Sequence, residues 1–165
     1  MEIDYSEINY LQDPSWQALH ADYEQFLLSM TGPTVIDVTG LNTNKCRVIT
    51  TLLQGNEPSG LIALHRWLVT NANQRLPQTN LRFIICSVEA ASKSPFFTRR
   101  FTEGSRDINR CFGQLEGVQE RKVQGCYQRA KLIEQAIREV SPEMVIDLHN
   151  ASSPSPTFSI SSKIT

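Results

Sequence analysis

"VITTLLQGNEPSGLIALHRWL", Val48 to Leu68, runs from β-branched and aliphatic residues into a short polar turn and out into a second apolar pattern. Val48 to Leu53 suits a buried strand, because such side chains pack well on a pleated surface covered on both faces. Gly55 ends the run, and Pro58-Ser59-Gly60 opens a helix, since the fixed φ of proline suits the first helical turn. Beyond it Leu61, Leu64, Trp67 and Leu68 recur at helical spacing. Strand, polar turn, helix is the repeating unit of α/β sheets.

The flanking sequence continues that alternation. Asp13-Pro14-Ser15 offers a cap, and Trp16, Leu19, Tyr23, Phe26, Leu27 and Met30 then predict one amphipathic helix closed by Gly32-Pro33, so residues 1–32 read as an amino-terminal helical segment. Thr34–Val38 and Leu81–Val88 predict further strands. Val118, Cys126, Ala130, Ile133, Ile137 and Val140 mark a long helix ending near Ser141-Pro142. Met144–Leu148 is a strand that stops at His149-Asn150, and Thr157–Ser161 a last short one beyond the Pro- and Ser-rich stretch Ser152–Ser155. Ala90–Gly113 has little periodicity and reads as a long loop, of a length that is often functional. The expected fold is α/β, a largely parallel or mixed central sheet flanked by helices, in a single domain over residues 1–165.

A chain of 165 residues with 40% hydrophobic content can bury one core of its own. Sixteen basic residues against seventeen acidic ones leave a formal net charge of -1, so no global field recruits nucleic acid or an anionic membrane. No apolar run is long enough to span a bilayer, and Met1-Glu2-Ile3-Asp4 is acidic where a secretory signal is basic, which points to a soluble, cytoplasmic protein. Cys46, Cys86, Cys111 and Cys126 lie far apart without a C-x-x-C pair, so they are expected to be reduced.

In open α/β sheets ligands gather beyond the carboxyl ends of strands, where both Gln54–Glu57 and His149-Asn150 fall. Asp147 and His149, two residues apart on a strand, point to the same side, so the Asp can fix the His tautomer. Taken alone, "VIDLHN" reads more readily as a capped strand end with a satisfied histidine, and helix capping accounts for Glu57 alone. An H-x-x-E turn would give zinc two ligands, with a distant His and a water completing the set. Here Gln54 holds the first position, and an amide oxygen is a weaker, neutral ligand. "TRRFTEGSRDINRCF", Thr98 to Phe112, collects Arg99, Arg100, Arg106, Asn109 and Arg110. Guanidinium groups bind carboxylates bidentately and polarise carbonyls; on charge alone this is a solvated loop paired with Glu103 and Asp107, but the ordered phrase Asp107-Ile108-Asn109-Arg110 favours a functional loop. His20 and His65 lie in predicted helices away from these motifs and receive no role.

"GNEPSG", "RDINRCF" and "VIDLHN", in that order with strands and helices between them, resemble the aspartoacylase and succinylglutamate desuccinylase family of zinc carboxypeptidase-like hydrolases, from about Val35 to about Ile160. The resemblance implies a zinc carboxypeptidase-like fold and one zinc ion held by the His and Glu of an H-G-N-E turn and the His of D-L-H-N. The matching positions are Gln54, Glu57 and His149, with Asp147 behind His149. It further implies that Asn109 and Arg110 hold the carboxylate of a small substrate, and that Arg100 polarises the scissile carbonyl, with Arg99 or Arg106 as alternatives. The implied reaction is hydrolysis of the amide in an N-acyl amino acid. The general-base glutamate of the family lies well downstream of D-L-H-N and has no match here, so the chain is expected to be a truncated, amino-terminal portion of a catalytic domain. Gln54 and the unmatched base also suit a non-catalytic relative that binds a carboxylated small molecule. A third reading is a structural or assembly module covered by a partner, either a second copy or the missing carboxyl-terminal half.

Overall fold

The computed structural model describes residues 4–71, 76–113 and 121–150. The apolar run at Val48 belongs to a strand that starts earlier, β3 (Asn42–Thr51), whose first half is exposed. Around it one five-stranded sheet forms from β1 (Asn9–Gln12), β2 (Thr34–Val38), β4 (Thr79–Ile85) and β5 (Met144–Leu148), in the order β1-β2-β4-β3-β5. β3 runs parallel to β4 and β5, and β1 runs parallel to β2, whereas β2 and β4 are antiparallel. The sheet is therefore mixed. Thr51 is in register with Ile85 on one side and with Leu148 on the other, so the carboxyl ends of these three strands lie level. The turn after β3 and the residues after β5 consequently leave the sheet side by side.

Because successive strand residues face opposite ways, each strand feeds two cores. Ile36, Phe83 and Ile85 face Leu19 of α1 (Trp16–Leu19), Phe26 and Leu27 of α2 (Tyr23–Leu28), and Leu61, Leu64 and Leu68 of α3 (Ser59–Asn71). Val35, Val48 and Ile84 face Cys126, Ala130, Ile133 and Ala136 of α5 (Arg121–Arg138). On that second face Arg82 is only 8% exposed and is held by Asp37 at 2.7 Å and Glu139 at 3.0 Å, which ties β4 to β2 and to α5. Arg129 of α5 pairs at 3.0 Å with Glu89 of α4 (Val88–Ala91). Charges buried this deeply persist because each is paired and hydrogen-bonded.

The amino-terminal segment departs from the single predicted helix. His20 adopts φ 56, and Asp22 caps a second helix by accepting from the backbone N–H of Glu24 and Gln25 at 2.9 and 2.8 Å. His65 Nε2 sits 3.1 and 3.2 Å from the carbonyls of Leu19 and His20, so this buried histidine meets the break between the two helices. Trp16, placed by periodicity on the buried stripe, is 44% exposed, and β1 precedes the helices without any apolar alternation to announce it. Leu52 adopts φ 58 and ends β3 two residues before the predicted limit. The stretch read as a loop from Ala90 contains the end of α4 and a single 3-10 turn, Ile108–Arg110. The predicted helix start at Val118, the Ser152–Ser155 stretch and the Thr157–Ser161 strand lie outside the described residues.

All four cysteines are buried and none forms a disulfide. Among the described residues no helix is long and apolar enough to cross a membrane. Among the described residues β5 pairs with β3 alone and forms one edge of the sheet, with Met144, Val145 and Ile146 each 36–46% exposed.

Candidate functional site

The turn after β3 is held open by its neighbours. The carbonyls of Thr51 and Leu52 accept from the backbone N–H of Cys86 and Ser87 at 3.1 and 2.8 Å, and the Ser87 hydroxyl donates to the Leu53 carbonyl at 2.8 Å. Gly55 donates its N–H to the Arg100 carbonyl at 2.9 Å. A Cβ at Gly55 would lie 2.6 Å from the Arg99 carbonyl oxygen and 2.7 Å from Ala90 Cβ, so only glycine lets the arginine loop approach this closely. Gly60 permits a second close approach, of α3 onto Thr51 and Leu148. The Asn150 side chain then accepts from both the backbone N–H and the hydroxyl of Ser59, capping α3 from the far side of the sequence. Each of these contacts draws one motif against another.

At the meeting point His149 Nδ1 lies 2.9 Å from Gln54 Oε1 and 2.8 Å from Glu57 Oε2. Its other nitrogen, Nε2, lies 2.6 Å from Asp147 Oδ2, while Asp147 Oδ1 accepts from the Thr50 hydroxyl at 2.6 Å, its register partner on β3. Glu57 Oε2 also accepts from the Asn150 backbone N–H at 3.0 Å. Gln54 is 2% exposed, and its Nε2 donates to Asp107 Oδ1 and Oδ2, both at 3.2 Å. The structure thus brings Gln54, Glu57 and His149 together and sets Asp147 behind the ring.

The atoms facing both ring nitrogens of His149 are acceptors, a setting that favours the doubly protonated ring. Burial opposes that charge most strongly, but the hydrogen bond to Glu57, the charge and hydrogen bond of Asp147 and the charge of Glu57 together hold the His149 pKa above its ordinary value. A metal ion would replace the Nδ1 proton. Among the described residues no group of three or more His, Cys, Asp or Glu side chains is arranged to hold one. The donor set on offer is one imidazole nitrogen, one carboxylate and one amide oxygen, with both oxygens within hydrogen-bond distance of the nitrogen. Of these three donors the amide oxygen is neutral and weaker toward a metal ion than imidazole.

The arginine loop meets this centre through Asp107, which is 8% exposed. Besides Gln54 it accepts from Arg100 Nε and Nη2 at 2.9 Å each and from the Asn109 backbone N–H at 3.0 Å, capping the 3-10 turn. Arg110 is exposed at the end of that turn and Asn109 is half-buried. Arg106 is engaged elsewhere: its Nη1 lies 3.4 Å from the Tyr127 hydroxyl and its backbone N–H meets Cys126, both on α5. Arg99 is exposed. Sequence reasoning placed Asp107 in the ordered phrase Asp107-Ile108-Asn109-Arg110 and as an ion-pair partner, and missed it and Asn150 as organisers. The available signal for Asp107 was D-x-N, where a side-chain oxygen caps the backbone two residues on.

A model of the succinylglutamate desuccinylase/aspartoacylase catalytic domain matches residues 47–162, a span that contains every residue of this centre and of the arginine loop. No curated protein and no solved structure matches the chain. With the match running over most of its length, the chain belongs to the succinylglutamate desuccinylase/aspartoacylase catalytic-domain family, whose activity is hydrolysis of N-acyl amino acids.

Proposed function

We propose that this chain carries a zinc-dependent amidohydrolase site for a small, carboxylate-bearing N-acyl amino acid and works in the cytoplasm. The observation that carries this reading is the convergence of Gln54 Oε1 and Glu57 Oε2 on His149 Nδ1 at the level ends of β3 and β5. In a family that is generally zinc-dependent, Glu57, His149 and the Gln54 oxygen would hold the ion. Zinc in such a site supplies Lewis acidity, polarising a carbonyl and easing deprotonation of water. Asp147, bonded to Nε2, fixes the ring so that Nδ1 faces the centre. Arg110 and Asn109 bind the substrate carboxylate, and Arg100 orients the scissile carbonyl, its Nη1 being free of Asp107.

A second reading, a non-catalytic relative that binds a carboxylated small molecule, is favoured by one feature. Gln54 puts a neutral amide where the family pattern has imidazole. Elemental analysis of protein purified without chelator, paired with amine release from N-acyl acidic amino acids, separates the two. Close to one zinc per chain with amine release supports the hydrolase. A zinc-free chain after incubation with excess metal, still binding the acyl amino acid, supports the binder.

A further inference from the structure

We propose that Asp107 is a positioning residue that decides which end of the Gln54 amide faces the centre, and that Arg100 acts with it. A glutamine amide has two nearly isosteric orientations, and only its partners choose between them. Gln54 has an acceptor-only carboxylate on one side, with both oxygens at 3.2 Å, and the His149 ring on the other. Reversed, the amide would set its oxygen against two carboxylate oxygens, in a place only 2% exposed to solvent. Its NH2 would face His149 Nδ1, where the centre needs an oxygen. Asp107 therefore turns a residue with no preferred end into a directed oxygen donor.

Arg100 completes the device. Its Nε and Nη2 both lie 2.9 Å from Asp107 Oδ2, so the charge on the buried carboxylate is paired, and the Asn109 N–H takes a further site on Oδ1. One carboxylate thus sets the polarity of Gln54, the place of Arg100 and the start of the turn that carries Arg110. The consequence for metal affinity rests on the proposed function; the orientation of the amide does not.

Two measurements test this on the full chain. In 15N-labelled, metal-free protein the Gln54 side-chain amide protons, assigned by their loss in Gln54→Ala, are expected to exchange slowly with solvent. Asp107→Asn, which offers an amide in place of the carboxylate, is expected to abolish that protection and weaken zinc affinity by about 10–100-fold, as loss of an orienting partner does. The reciprocal pair Gln54→Glu/Asp107→Asn reverses donor and acceptor, and is expected to recover zinc affinity to the parent level or above. Gln54→Glu alone sets two carboxylates face to face and is expected to lose stability. Rescue by the pair separates a directional role from simple misfolding of a single variant. Gln54 protons that exchange as freely as those of exposed glutamines, or a double variant no better than the worse single one, would overturn the proposal. A parent chain that takes up no zinc yet shows Gln54 protection dependent on Asp107 would remove the hydrolase reading and leave this one standing.

Discussion

His149 Nδ1 stands 2.8 Å from Glu57 Oε2 although 92 positions separate the two residues. The parallel pairing of β3 with β5 brings them together, since Thr51 and Leu148 end their strands in register and the next few residues of each enter the same space. Asn150 reinforces the arrangement by giving its N–H to Glu57 and capping Ser59. Two turns that are separate in sequence are one site in space.

From that relationship follows a pH dependence of the metal-free chain. The folded-state pKa of His149 is raised, so its contribution to stability is complete below the unfolded value and is lost as pH rises through the folded one. In chelator, the urea midpoint is expected to fall across that window, and Glu57→Gln to flatten the fall. A His149 ring resonance that titrates below its unfolded-state value would contradict this.

Gln54→His puts imidazole in place of the amide oxygen. Zinc affinity is expected to rise by more than the roughly 10–100-fold that an outer partner is worth, because a ligand to the ion itself is improved. Asp107 would remain within reach to hold the new ring. Equal affinities in parent and variant by competition titration would remove position 54 from the centre.

Arg110 is exposed at the end of the turn capped by Asp107 and is free to meet an anion. Arg110→Ala is expected to weaken binding of acidic N-acyl amino acids by about 1–3 kcal/mol, the cost of removing a charged hydrogen-bond partner. The fold should be unaffected. Calorimetry showing unchanged binding would place the anion pocket elsewhere.

Gly60→Ala tests the packing beneath the site. A methyl there would overlap Thr51 Oγ1 and stand 3.0 Å from Leu148 Cβ. Helix propensity favours alanine by about 1 kcal/mol. The overpacking costs about 1–3 kcal/mol, so net destabilisation is expected in denaturant titration. A stabilised variant would mean that α3 can move off the sheet freely.

Read alone, residues 48–68 declare strand, turn and helix, because period-two and helical spacing and the punctuation of Gly55 and Pro58 are local properties of the chain. Thr34–Val38 and Met144–Leu148 were legible for the same reason, and both strands have the predicted limits. The break between α1 and α2 was not, since Asp22 as a cap competes with an apolar stripe that continues past it. β1 is four residues long and mostly exposed, so it leaves no alternation to read.

By itself the sequence determined the α/β class and the order in which the motif residues occur, through patterns spanning a few residues. The antiparallel step between β2 and β4, the level ends of β3 and β5, and the direction of the Gln54 amide were decided by the tertiary structure alone. The physical reason is that each depends on hydrogen bonds between partners tens of residues apart, as with Gln54 and Asp107 or Gln54 and His149. Strand register chooses those partners, and no local pattern encodes it.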